Sequence, residues 1–283
     1  MHMNTSTTWA SYLGYRRPKH RRPSLRVILL LMMRMRKVAV ALLLSLQISI
    51  LTGCGINACH QKTLIDYSSG FTSSGLALNG NAALNANILQ LTDGGRNEKS
   101  SSWYSHQVPV TSFTTDFSFQ QSDAVADGFT FTIQNIGLNA LGALGRDLGY
   151  GGIGKSVAIK FDIHNNAGEG DNSIGIYSDG ASPILPAVDL TGTGIDLHAG
   201  HVMKAQIAYE NSTLTLSITD SVTGASTMNK FSVDIPTVIG SPIAYVGFTA
   251  GTGSLTSTQN ILSWNYSYVN EGSMDFCELS PAL

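Results

Sequence analysis

Asp162, His164, Asn166, Glu169 and Asp171 crowd the stretch from residue 162 to residue 171. All but the histidine offer oxygen. Carboxylates and amides pooled at one end of a loop are the donor set of a hard divalent cation such as calcium. Gly168 and Gly170 let the segment fold back tightly.

The flanking sequence explains how such a loop would be held. Val157, Ile159, Phe161 and Ile163 alternate with other residues, the period-two pattern of a half-buried strand, and Ile174–Tyr177 is a second short apolar run. The same signature recurs along the chain: Ile88–Leu91, Phe113 to Phe119, Phe129 to Ile133, Val202–Tyr209, Leu214–Ile218, Phe231–Ile235, Ala244–Thr249 and Ile261–Tyr268. A turn at Glu210–Thr213 predicts a hairpin. After Cys59 no long helical periodicity occurs. Many short strands punctuated by Gly, Asn, Ser and Asp predict an all-β antiparallel sandwich or barrel. The Gly- and Leu-rich stretch Asn135–Gly154 is expected to be a long loop beside the site.

Charge divides the chain. Of 17 Lys and Arg, nine lie in residues 1–53, which contain no Asp or Glu. The remaining eight face all 19 acidic residues, a net of −11 over residues 54–283. Nucleic-acid binding needs clustered Lys and Arg, so this body excludes it. Neutral ligands and divalent cations are compatible. Arg34, Arg36 and Lys37 precede the apolar run Val38–Leu51, 14 residues long. That is short of the ~20 residues of a membrane span, and it fits a secretory signal. The run ends Leu51-Thr52-Gly53-Cys54, which resembles the lipobox of bacterial lipoproteins and makes Cys54 the expected lipidation site. The expectation is an exported lipoprotein, anchored at the cell envelope or cell surface. Cys59 and Cys277 then invite a disulfide in an oxidising compartment. The predicted layout is residues 1–53 as basic extension and signal, 54–63 as tether, 64–270 as the sandwich and 271–283 as a tail.

Gly149–Ser156, GYGGIGKS, matches the phosphate-loop pattern letter for letter. That motif requires a helix to follow, presenting its N-terminal amides. Here Val157–Ile163 reads as a strand, so nucleotide binding is excluded and the glycines are assigned to a tight loop.

Three separated segments resemble the legume-type lectins, whose fold is a concanavalin-like antiparallel jelly-roll β-sandwich. Ala126-Asp127-Gly128-Phe129 resembles the segment whose aspartate accepts hydrogen bonds from sugar hydroxyls. Val157–Ile176 resembles the metal loop, of the form V-A-V-E-F-D-T-x-x-N, then Asp, then H-I-G-I. Val246–Ala250 with Thr258–Trp264 resembles the last variable loop and closing strand. The resemblance implies a sugar site at Asp127 and Asn166. His164 would stand where the family often has an aromatic platform, with Tyr150 as a substitute. Gly149 or Arg146 would supply a backbone N–H. It also implies calcium at Asp162, Asn166 and the His164 carbonyl, with Glu169 favoured over Asp171 for the last ligand. The family's frequent back-sheet pairing implies a homodimer.

Two departures bear on the metals. The positions of the family's first metal-loop Glu and of its His, both transition-metal ligands, hold Lys160 and Ser173. A protonated lysine has no lone pair and repels a cation, so no transition metal is expected and at most one calcium. Sugar hydroxyls both donate and accept; Asp127 can accept two hydrogen bonds and the Asn166 amide can donate one. The implied function is binding of a glycan or polysaccharide without catalysis. A related β-glucanase activity would need glutamates on either side of Asp162, where Lys160 and His164 stand. A structural or adhesive protein that kept the fold and lost sugar binding is the remaining alternative.

Overall fold

A computed structural model describes residues 61–269. The signal segment, the lipidation cysteine Cys54 and the Cys59/Cys277 pair lie outside the described residues. In chain order the strands are β1 (Gln61–Tyr67), β2 (Leu76–Gly80), β3 (Ala83–Asn85), β4 (Ile88–Asp93), β5 (Lys99–Tyr104), β6 (Val108–Pro109), β7 (Phe113–Ser122) and β8 (Gly128–Gln134). They continue with β9 (Ser156–Asp162), β10 (Ser173–Ser178), β11 (Val188–Asp189), β12 (Met203–Glu210), β13 (Thr213–Asp220), β14 (Ser226–Ser232), β15 (Ile243–Gly251) and β16 (Thr258–Val269). Among the described residues one helix, α1, spans Ile235–Ile239, and a 3-10 turn spans Gly145–Asp147.

The strands form two antiparallel sheets, the two faces of a jelly-roll sandwich. One has the order β14-β13-β12-β7-β16-β4-β3, with β1 on β16; the other is β11-β10-β9-β8-β15-β5-β2, with β6 on β15. Alternation drives the packing. On β7, Phe113, Thr115, Phe117, Phe119 and Gln121 point inward, and the residues between them are half-buried or exposed. Phe117 meets Phe248 edge-on at 5.1 Å across the sandwich. Phe129 and Phe161, paired in register on β8 and β9, stack at 4.7 Å. Each such aromatic contact is worth about 0.5–1.5 kcal/mol beyond the area it buries.

Two expectations need correction. The first is that β9 is half-buried. All seven of its residues are buried, because the long loop and the segment after β10 cover the sheet's outer face. Trp103, Ala140, Tyr150, Ile153, Ala158 and Tyr177 form a second core there. The sheet laces this loop down by donating to its carbonyls: Trp103 Nε1 and Ser101 Oγ to Ala140 at 2.9 and 2.7 Å, and Thr249 Oγ1 to Leu148 at 2.8 Å. The second concerns the run Phe231–Ile235, which does not continue as strand. Asp234 accepts the Thr237 N–H at 3.1 Å and Pro236 fixes the first turn, so Ile235 begins α1 instead. The phosphate-loop look-alike ends in strand β9, as its β-branched residues require.

Candidate functional site

Asp127 stands at the entry to β8, after a cis Ala126–Asp127 peptide. Its backbone ties two strand ends together: its carbonyl accepts from Ile163 N–H at 2.9 Å, and its N–H donates to Gly251 at 3.3 Å. Gly128 is obligatory next to it. Its φ is 144°, and a Cβ there would lie 2.4 Å from the Phe161 carbonyl oxygen. Strands β8 and β9 are thereby pressed together at the point where both feed the site.

The Asp127 side chain is buried, 4% exposed, and its Oδ2 has no hydrogen-bond partner among the described residues. It faces an open depression of about 180 Å³ whose lining includes Asp127, Arg146, His164, Asn166, Gly253 and Leu255. Burial pushes the Asp127 carboxyl above the usual carboxylate range, against the pull of the Asn166 amide, His164 and the Gly253 N–H. A buried acceptor without a partner is costly unless a ligand supplies a donor. Drug-sized ligands occupy ~300–1,000 Å³, so this space suits one small polar ring. A larger depression of about 340 Å³ lies on the outward face of the other sheet. There Gln206 already satisfies Asp116 at 2.9 Å, and no chemistry converges.

Separate anchors place the walls. Gly145 and Arg146 ride on the 3-10 turn, fixed by Gly145 N–H to Thr252 O at 3.1 Å. The Gly253–Leu255 wall is held by Asn97 N–H to Gly253 O at 2.9 Å and Glu98 N–H to Thr252 Oγ1 at 3.0 Å. His164 and Asn166 belong to the loop after β9, whose carboxylates are committed to it. Asp162 Oδ1 accepts the His164 N–H at 3.1 Å. Glu169 accepts the N–H groups of Asn166 and Ala167, and Asp171 that of Asn165 at 2.9 Å. Asn166 Nδ2 donates to the His164 carbonyl at 3.3 Å.

The structure thus brings Asp127, His164 and Asn166 to one pocket. It places Tyr150 and Gly149 elsewhere, and both expectations are corrected. Tyr150 is fully buried, its hydroxyl taken up by Ser156 Oγ and Gly180 N–H at 3.0 and 3.1 Å. The Gly149 N–H donates to Ala143 O at 2.8 Å, so it is already committed within its own loop. Gly145, Gly253, Ser254 and Leu255 line the site without having been singled out individually. Their signal was position, in the loop Asn135–Gly154 and between the segments Val246–Ala250 and Thr258–Trp264, not residue type.

The expected calcium ligands were Asp162, the His164 carbonyl, Asn166 and Glu169 or Asp171. They do not form a ready ligand set, and no group of three acidic, His or Cys side chains among the described residues converges as one. The second Asp162 oxygen is held at 2.8 Å by the Lys160 ammonium. Burial pushes the Asp162 carboxyl up to about 6, and Lys160 limits the rise. A divalent ion at Asp162 would sit against that ammonium, so these residues do not fit it.

Comparison with solved structures gives the class first. The architecture superimposes on solved lectins over most of their length. For basic winged bean lectin with Tn-antigen the TM-score is 0.64 at 24% identity, covering 73% of this chain and 98% of that one. For a lectin from Bauhinia forficata in complex with GalNAc it is 0.63 at 23% identity, covering 74% and 98%. For the Lotus tetragonolobus seed lectin it is 0.64 at 25% identity, covering 74% and 100%. In sequence, a lectin of Leucomphalos mildbraedii is 29% identical over 231 residues, 72% of this chain and 93% of the relative. The lectin-domain receptor kinase IX.2 of Arabidopsis thaliana is 25% identical over 191 residues, only 28% of that longer protein. Residues 66–276 match the legume lectin domain, and the chain belongs to that family.

Proposed function

We propose that this protein is a non-catalytic lectin that binds a glycan in the depression around Asp127. The observation that carries the reading is the buried Asp127 Oδ2, an acceptor without a partner among the described residues, opposite the Asn166 amide, the half-buried His164 and the exposed Leu255. A sugar ring presents hydroxyls to the first two and C–H groups to the latter. Among the lining residues Asp127 is the one carboxylate. Acid–nucleophile hydrolysis needs a pair, so the site supports binding and not cleavage. The Bauhinia forficata lectin and lectin UEA-II are described in complex with GalNAc and galactose, which makes these two sugars the first probes.

The test is a glycan array followed by calorimetry on the best hit. Asp127→Ala removes hydrogen bonds to a charged acceptor, worth ~1.5–3 kcal/mol, and is expected to weaken binding roughly 10- to 150-fold at unchanged Tm. An inert wild-type array refutes the reading in favour of a fold kept for structural or adhesive use. Calcium has no assigned role in this reading, because its expected ligands do not fit it.

On the same reading the chain is exported and anchored through a lipid on Cys54 at the cell envelope. The support is the Val38–Leu51 run and the LTGC that ends it. The relatives named above are plant proteins, whereas that motif resembles bacterial lipoproteins. A mature N-terminus other than Cys54, read by intact mass, refutes the anchor. A homodimer that pairs back sheets edge to edge completes the reading, and sedimentation decides it.

A further inference from the structure

Lys160 is a charged residue that the proposed site does not touch, yet it is fully buried in the middle of β9. Across the outer face of its sheet it lies in a row with Ser101, Thr249, Thr130 and Gly175, all uncharged. Any apolar residue would fill that space without the cost of burying an ammonium. The ammonium has two specific bonds. It donates to Asp162 Oδ2 at 2.8 Å and to the Ile184 carbonyl at 3.0 Å, with the Tyr177 ring 5.6 Å away.

The connections lead to the pocket. Lys160 fixes one Asp162 oxygen, and the other oxygen accepts the His164 N–H at 3.1 Å. The intervening Ile163 N–H is bonded to the Asp127 carbonyl at 2.9 Å. The Asp162 carboxylate is therefore a rigid bridge between a buried positive charge and the loop that presents His164 and Asn166. Its cross-strand neighbour Ser173 adds a neutral hydroxyl that finds no partner among the described residues. No further acid is needed to balance the bridge.

We infer that the Lys160 ammonium is a built-in cation that holds the His164–Asn166 wall in place of a bound metal, so that this wall is preformed without any divalent ion. Lys160 is a positioning residue, acting through Asp162, and the consequence for sugar binding rests on the lectin reading above. A covalent cation cannot dissociate or be chelated, which makes the site indifferent to calcium depletion.

The test begins with the metal alone. Calcium or manganese chloride is titrated into chain dialysed against EDTA, with heat and Tm recorded. No saturable heat and no change in Tm are expected. Saturable binding, with the rise in Tm that a ligand specific for the folded state must produce, overturns the inference. The second arm is amide exchange in Lys160→Met, which keeps the aliphatic stem and removes the charge. Exchange over residues 163–169 is expected to accelerate at least ~10-fold relative to wild type, with β7 and β16 unchanged. Unchanged loop protection overturns the inference. If Lys160→Met does not fold, Lys160→Met/Asp162→Asn, which removes both charges, takes its place with the same expected exchange. Lys160→Arg restores a cation and is expected to restore protection. A wild-type chain that binds no glycan refutes the proposed function, whereas metal titration and loop exchange judge Lys160 independently.

Discussion

Removing either partner of the Lys160–Asp162 pair is expected to cost far more than removing both. Both side chains are out of water, 0% and 3% exposed, and 2.8 Å apart. Burial raises the Asp162 carboxyl to about 6 and Lys160 limits the rise, so Lys160→Met strands a carboxyl that takes up a proton. A carboxyl in the unfolded chain titrates near 3.9, so neutralising it at pH 7 costs up to about 4.2 kcal/mol. Asp162→Asn strands the ammonium instead. A lysine in the unfolded chain titrates near 10.4, so neutralising it at pH 7 costs up to about 4.6 kcal/mol. Breaking buried pairs typically costs ~3–5 kcal/mol, which matches both figures. Each single variant should thus lose about 4 kcal/mol, or roughly 8–16 °C in Tm for a domain of this size. The double variant should recover most of the loss. Thermal and urea unfolding at pH 7 measure all three. A double variant no more stable than the single variants would refute the reasoning.

Gly128→Ala should lower stability by more than about 3 kcal/mol, since a φ of 144° excludes L side chains and the added Cβ meets the Phe161 carbonyl oxygen at 2.4 Å; near-native urea unfolding would contradict this. Asp234→Ala should cost about 1 kcal/mol by uncapping α1, measured as a fall in the urea midpoint at unchanged slope. Burial alone would raise the Asp220 carboxyl, but hydrogen bonds from His201, Val222 and Thr223 outweigh it and hold the group at about 2. A depressed folded value stabilises above the unfolded value, so this contribution should fade as pH drops from about 4 to about 2, with the slope reduced in Asp220→Asn.

Much of the sandwich was legible because alternation on β7, β8, β9, β12 and β13 is strong and each strand has one apolar face. β5 escaped notice because Ser100, Ser101 and Ser102 are all buried, and serine carries no hydrophobic signal. Asp127, His164 and Asn166 were legible from the segments that carry them. Tyr150 misled because an aromatic in a glycine-rich loop resembles an exposed platform. Only the three-dimensional course of the loop, over Trp103 and Ala158, shows that it is packing. Lys160 was legible as an obstacle to a metal. Its ion pair with Asp162 was not, since adjacency across an intervening strand residue does not reveal where a flexible ammonium points.

The loop over the outer sheet face is fastened by donors on the sheet to carbonyls on the loop, at Ala140 and Leu148. Main-chain carbonyls belong to every amino acid, so the fastening makes no demand on the loop's side chains at those points. Gly142 and Gly149 are exceptions, since backbone oxygens lie within 2.7 Å of where their Cβ atoms would be. Gly145 and Arg146, which border the pocket, ride on the same loop. Divergence can therefore rewrite the rim of the pocket while the attachment points persist, a separation of variable text from constant binding.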